Sequence, residues 1–209
     1  MTIQNYSQAA ENNRAPIMEQ LTIVFDREGV VLEIGSGSGQ HALAFSKHLP
    51  HLTWQPADQG EYFSGLLANI AAAGAQNVLL PIYLDVDVQE QWPEASYDYA
   101  YSANVLHIMP DKLMAPFFAG VGKILKAGGL CCLYGPFKYK KKFTSESNAN
   151  FDLWLKNNNP LSGVRDIEVV VALAERNALS LLHDLEMPAN NQLLVFKKQT
   201  TYREVSKNS

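Results

Sequence analysis

Two rhythms of apolar residues divide the chain. Short runs rich in β-branched and aromatic residues alternate with longer stretches whose apolar positions recur every three or four residues. The runs "VVLEIG", "LTWQPAD", "LLPIYLDV", "YDYAYSAN" and "LCCLYGP" predict five strands. Between them, "QHALAFSKHL", "YFSGLLANIAAAGA" and "MAPFFAGVGKILKAGG" have the period of amphipathic helices, with Gly128 and Gly129 placed to end the last. Ahead of the first strand, Pro16 is expected to open a helix whose Ile17, Leu21 and Val24 form one stripe. Pro56 predicts a strand end or a bulge. Strand and helix in alternation imply an α/β fold, a parallel sheet covered on both faces.

After the fifth strand the rhythm breaks. Residues 136–165 are polar and aromatic, too long for an ordinary connection. They predict a lid or substrate wall containing a short helix over "NANFDLWLK". The helix "DIEVVVALAERNA" follows, with Asp166 as its expected cap. Two closing strands, "LSLLHDLEMP" and "QLLVFKK", are joined by the turn-prone "ANN", so one must run against the others. Residues 1–198 are thus expected to form one domain, with 199–209 as a frayed tail.

Composition adds exclusions. With 47% hydrophobic and 18% charged residues the chain has material for a real core. A net charge of −4 offers no global attraction for nucleic acid or an anionic membrane. One cluster, Lys138, Lys140, Lys141 and Lys142, runs against that trend, as a solvated loop or as a mouth for an anionic substrate. No stretch approaches the ~20 apolar residues of a membrane span. The start of the chain lacks the basic and apolar regions of a signal peptide. Cys131 and Cys132 are adjacent, and neighbours on a strand point to opposite faces. They are expected to be reduced and buried, which suits a cytoplasmic location.

Chemistry concentrates in "VVLEIGSGSGQH". Gly35, Gly37 and Gly39 follow a buried strand, and glycine permits a backbone to approach a ligand closely. The spacing is G-x-G-x-G, and Gln40 stands where a dinucleotide fingerprint would place its third glycine. Glu33 just before the loop suits a pyrophosphate poorly and suits an ammonium or sulfonium group well. S-adenosylmethionine carries both. Asp58 ends the second strand near the ~20-residue offset at which an acid meets a ribose diol. Asp85 ends the third, placed to accept from an adenine amine. Asn104 and His107 leave the fourth strand, and Tyr134 ends the fifth. His107 and Tyr134 are the candidates for orienting an acceptor or taking its proton. The other histidines, His41, His48, His51 and His183, show no ligand spacing, and no metal site is expected.

Together "VLEIGSGSG", "QPAD", "LDV" and "SANVLHI" resemble the ordered motifs of class I S-adenosylmethionine-dependent methyltransferases. "AAENNRAPI", "GQHALAFSKHLPHLTWQPAD" and "ESNANFDLWLKNNNPLSGVRDIE" narrow the resemblance to the branch grouped as domain of unknown function 938. The resemblance implies a doubly wound, Rossmann-like sheet of seven strands, mostly parallel, the last antiparallel. It implies cofactor contacts from Glu33, Gly35, Gly37, Gly39, Asp58, Asp85 and Asn104, and carries over no catalytic residue. The chain departs from the Asp/Asn-Pro-Pro-aromatic signature of amino-directed enzymes, which points away from DNA adenine or protein glutamine. The expected activity is methyl transfer to a small-molecule acceptor, with the lid aromatics Phe137, Tyr139, Phe143, Phe151 and Trp154 closing on it. Two alternatives are a catalytically silent module that binds the same cofactor and, more remotely, an NAD-dependent oxidoreductase.

Overall fold

A computed structural model describes residues 3–200. The tail expected to fray lies, from residue 201 on, outside the described residues. In chain order the strands are β1 (Gly29–Ile34), β2 (Leu52–Asp58), β3 (Ile82–Tyr83), β4 (Tyr97–Ala103) and β5 (Leu125–Gly135). Then come β6 (Phe137–Tyr139), β7 (Lys142–Phe143), β8 (Arg165–Asp166), β9 (Leu179–Met187) and β10 (Asn191–Lys198). The helices are α1 (Gln8–Val24), α2 (Gln40–His48), α3 (Gly60–Ala73), α4 (Met114–Ile124), α5 (Glu146–Asn158) and α6 (Ile167–Glu175).

Seven strands form the main sheet in the order β3-β2-β1-β4-β5-β10-β9. The register from β3 to β5 is parallel throughout, and β10 runs antiparallel to both β5 and β9. This is the α/β fold expected, with its reversed last strand. Side-chain alternation splits the core in two. Leu32, Ala100, Cys131, Leu133, Leu194 and Phe196 pack under α4 and α6, beside Phe117 and Val170. Val31, Tyr99, Tyr101, Cys132, Leu193 and Val195 pack under α1, α2 and α3, beside Ile17, Phe45 and Leu66. Cys131 and Cys132 are free, buried and on opposite faces.

Four local expectations are corrected. Helix α1 starts eight residues before Pro16, at Gln8, because the Ser7 hydroxyl accepts the Ala10 N–H at 3.2 Å and caps it. Pro16 sits inside the helix, where it removes the donor that the Asn12 carbonyl would otherwise meet. Helix α4 ends at Ile124, and Gly128 and Gly129 lie within β5. There the register on β4 jumps from Tyr97–Leu125 to Tyr99–Leu130, and Gly128 at φ +79° makes the bulge. Pro56 lies within β2 without a bulge, opposite Glu33. Trp54, of the same parity, donates toward the β3 side, where pairing with β3 begins only at Ala57, so Pro56 needs no donor. Asp166 holds the N-cap position of α6 as expected, but its carboxylate makes no capping bond and accepts from the Lys141 N–H instead.

Residues 136–165 build a small three-stranded sheet, β7-β6-β8, and the helix α5, which Ser145 caps. Gly163 donates its N–H to the His107 carbonyl, and Val164 donates to Asp152, so the segment is tied to the loop after β4.

Candidate active site

A cavity of about 1100 Å³ opens at the carboxyl ends of β1, β2, β4 and β5. In an open α/β sheet this crevice, beside the point where strand order reverses between β1 and β4, is where ligands bind.

Its floor is the loop after β1. Gly35 and Ser36 both donate N–H bonds to the Ala57 carbonyl, at 2.9 and 3.0 Å, and the Ser36 hydroxyl accepts from the Ala57 N–H. The loop is thereby stitched to the end of β2. Gly35 stands at φ +76°, and a Cβ there would fall 2.4 Å from Val105. Gly37 stands at φ +56° with open space beside it, so its backbone can approach a ligand. Gly39 does different work: a Cβ would meet Ile70 and Leu66 at about 3 Å, so this glycine lets α3 pack close.

Two acids face the cavity. Glu33 is 2% exposed and accepts the Trp54 indole N–H at 2.7 Å. Burial raises its pKa to about 8, the two hydrogen bonds from Trp54 and Ser36 opposing the shift and nearby Asp58 adding slightly to it. Asp58 accepts from the Gly37 N–H at 2.6 Å and the Gln59 N–H at 2.7 Å, and burial moves its pKa upward. A carboxylate with one bond on each oxygen retains lone pairs for a ligand.

The opposite wall comes from the loop after β4 and from α5. Asn104 stands at φ +60°, a left-handed conformation that asparagine tolerates, and donates its N–H to the Tyr134 carbonyl. The His107 ring lies 5.2 Å from Phe151, edge to face. Burial first, then the Arg165 charge, lowers its pKa to about 4, so it meets the cavity as neutral imidazole. Burial pushes the Tyr134 phenol up. Tyr134, Phe151 and Trp154 line the same wall.

The structure therefore brings Glu33, Gly35, Gly37, Asp58, Asn104, His107 and Tyr134 to one cavity. Gly39 and Asp85 are outside its lining. Asp85 accepts from the Asp87 N–H in a tight turn, while its neighbours Leu84 and Val86 reach the wall. Of the five lid aromatics, only Phe151 and Trp154 line the cavity. Phe137 is buried in the core, the Tyr139 hydroxyl donates to Asp184, and Phe143 lies under Lys138. The lysine cluster is likewise outside the lining, so it forms no mouth to this cavity.

Three residues escaped the sequence. His41 bonds Asn13 and the Ala10 carbonyl of α1 through one ring nitrogen and the Tyr101 hydroxyl through the other. Its partners Asn13 and Tyr101 lie 28 and 60 positions away, beyond any local motif. Gln40, which stands where a dinucleotide fingerprint has its third glycine, accepts from the Ser7 N–H at 2.7 Å and donates to the Ser7 carbonyl, clamping the start of α1 over the glycine loop. Arg165 binds the carbonyls of Leu106, Met109 and Leu161 and the Asp111 carboxylate, fixing the loop that carries His107. Among the described residues no cluster of histidine, cysteine and acidic side chains could hold a metal ion, and no helix is long and apolar enough to cross a membrane.

Solved structures share this architecture. An O-methyltransferase family protein from Burkholderia thailandensis aligns with a TM-score of 0.80 at 15% identity, over 92% of this chain and 58% of its own. An O-methyltransferase family 2 protein from Planctomyces limnophilus, in complex with apigenin, aligns with a TM-score of 0.75 at 17% identity, over 91% and 57%. PigF, solved with SAH, gives 0.74 and 16%, over 91% and 64%. The chain thus spans less than two thirds of the length of these proteins, and the likeness is one of fold, that of class I methyltransferases. Family membership is more specific: the pattern of the family described as "Protein of unknown function (DUF938)" matches residues 4–198, and the chain belongs to that family.

Proposed function

We propose that this protein is an S-adenosylmethionine-dependent methyltransferase acting on a small molecule. The observation that carries this is a single cavity with two chemically distinct ends. One end presents Glu33, the open backbone at Gly37 and Asp58; the other continues to His107, Tyr134, Phe151 and Trp154.

The donor end fits the group. Glu33 is buried with no cation among the causes of its shift, so an ammonium would supply the missing counter-charge. Asp58, pre-set by Gly37 and Gln59, would accept from a ribose diol, and Asn104 closes the crevice opposite. S-adenosylmethionine, when bound, supplies an electrophilic methyl group on sulfur. The chain's own residues position the acceptor and exclude water, which by itself removes much of the barrier to a displacement. His107, neutral down to about pH 4, is suited to orienting an acceptor hydroxyl through a hydrogen bond rather than to carrying a full proton at neutral pH. An acceptor end that stays open beside the donor end supports transfer over a silent binding module. Neighbours described as O-methyltransferases support the same reading.

Calorimetric titration with S-adenosylhomocysteine and with NAD tests it. The adenosyl compound is expected to bind and NAD to give no response, and Asp58→Ala should weaken binding by about 2–3 kcal/mol, the scale of lost charge-assisted bonds to two hydroxyls. Binding of NAD alone would sink the proposal.

A further inference from the structure

The acceptor end has a charge pattern of its own. Among the described residues that line the cavity, Glu33 and Asp58 are the acids, and neither lysine nor arginine joins them. Neighbouring cations are engaged elsewhere. Lys156 pairs with Asp152 at 2.6 Å, Arg14 with Glu11 at 2.9 Å, and Arg165 with Asp111 and three carbonyls. His41 and His107 are held neutral by burial. A carboxylate or phosphate entering the acceptor end would lose its water and meet no cationic side chain, since Glu33 and Asp58 stand at the donor end and neither lysine nor arginine lines the cavity, a combination that costs several kcal/mol.

The wall itself is flat and aromatic. Phe151 and Trp154 stack, centroids 5.8 Å apart at 12°, and Trp154 is 59% exposed, which leaves much of the indole uncovered. Indole faces bind planar rings by offset stacking and attract cations. Apart from Glu33 and Asp58, the polar side chains that line the cavity are uncharged, Asn13, Asn148 and Asn191 among them.

Resting on the donor reading above, we propose that the acceptor end selects a flat, unsaturated molecule, neutral or cationic, that bears no carboxylate or phosphate, and that Trp154 is the residue that holds it. The anion is refused by absence of a counter-charge; the ring is retained by the indole.

The test is calorimetry on the full chain saturated with S-adenosylhomocysteine, using three probes: 2-naphthol, 3-hydroxy-2-naphthoate and N-methylquinolinium. Naphthol and the quinolinium cation are expected to bind at least about tenfold more tightly than the naphthoate, the 1.4 kcal/mol that a single unpaired charge readily exceeds. Trp154→Ala should weaken naphthol at least about tenfold and leave S-adenosylhomocysteine unchanged, whereas Trp154→Phe restores naphthol binding. Equal or tighter binding of the naphthoate, unchanged naphthol affinity in Trp154→Ala, or no binding of any probe would each overturn the inference. Failure of S-adenosylhomocysteine to bind would strike the donor reading instead, and the probes, titrated into the protein alone, would still decide this one.

Discussion

Glu33 carries the sharpest conflict in the molecule, because a carboxyl that is 2% exposed has no cation beside it. Its pKa rises from 4.5 to about 8 through burial. The folded state therefore holds a proton that the unfolded chain releases, and the sign of the linkage follows. Stability from this group is fully present below the unfolded value of about 4.5 and is lost as pH rises through about 8. Glu33→Gln cannot ionise and still offers an oxygen to the Trp54 N–H. Thermal melts without ligand at pH 5 and pH 9 should show the variant gaining on the parent protein at the higher pH. Other titrating groups cancel in that comparison. Parallel pH profiles for the two proteins would mean that Glu33 is not carrying a buried proton. On the proposed function, the cost such a residue places on the empty fold would be offset by the donor's ammonium group.

At the scale of elements, α1 is a cover clamped over the loop between β1 and α2. Gln40 makes both bonds to the Ser7 backbone, Asn69 receives the Gln4 N–H and donates to the Gln4 carbonyl, and His41 binds Asn13. Gln40→Ala removes the Ser7 pair together with a bond from Ser38, a loss of about 1–3 kcal/mol for buried groups left unpaired. Hydrogen exchange over residues 4–13 should then quicken roughly tenfold or more, while β1 and β4 stay protected, since local opening rather than global unfolding is affected. Uniform change across the sheet would contradict a local clamp. This element also marks the limit of what the sequence discloses. The placement of Glu33, Gly35, Gly37 and Asp58 around one cavity was legible because each stands at or just past the end of a strand whose pattern is local. The clamp was not legible, because Gln40 and His41 act on residues distant along the chain. Pro16 and the Gly128–Gly129 pair misled for a related reason. Both are punctuation in an isolated segment, yet Ser7 extends α1 past the first and pairing with β4 turns the second into a bulge.

On the scale of the whole molecule, strand order explains why one ligand should sense so much of the chain. Setting β1 between β2 and β4 brings Asp58 from one neighbour and Asn104 from the other to the same glycine loop, with α1 above and α5 opposite. A ligand bound there contacts elements from both ends of the sequence, so its free energy is added to global stability by mass action. At a free concentration of 100 times its dissociation constant, S-adenosylhomocysteine should contribute about 2.7 kcal/mol. For a domain of this size that corresponds to a rise in melting temperature of about 5–10 °C. On the proposed function its ammonium group would favour the ionised form of Glu33, so that binding near neutral pH would expel the proton that burial retains up to about pH 8. At one fixed concentration of ligand the melting shift should accordingly be smaller at pH 5.5 than at pH 8. In Glu33→Gln the shift should be small and nearly independent of pH over that range. Differential scanning fluorimetry of both proteins at the two pH values reads all four numbers. A shift in the parent protein that ignores pH, or that falls as pH rises, would separate ligand binding from the charge state of Glu33 and leave the buried acid without a role in holding the donor.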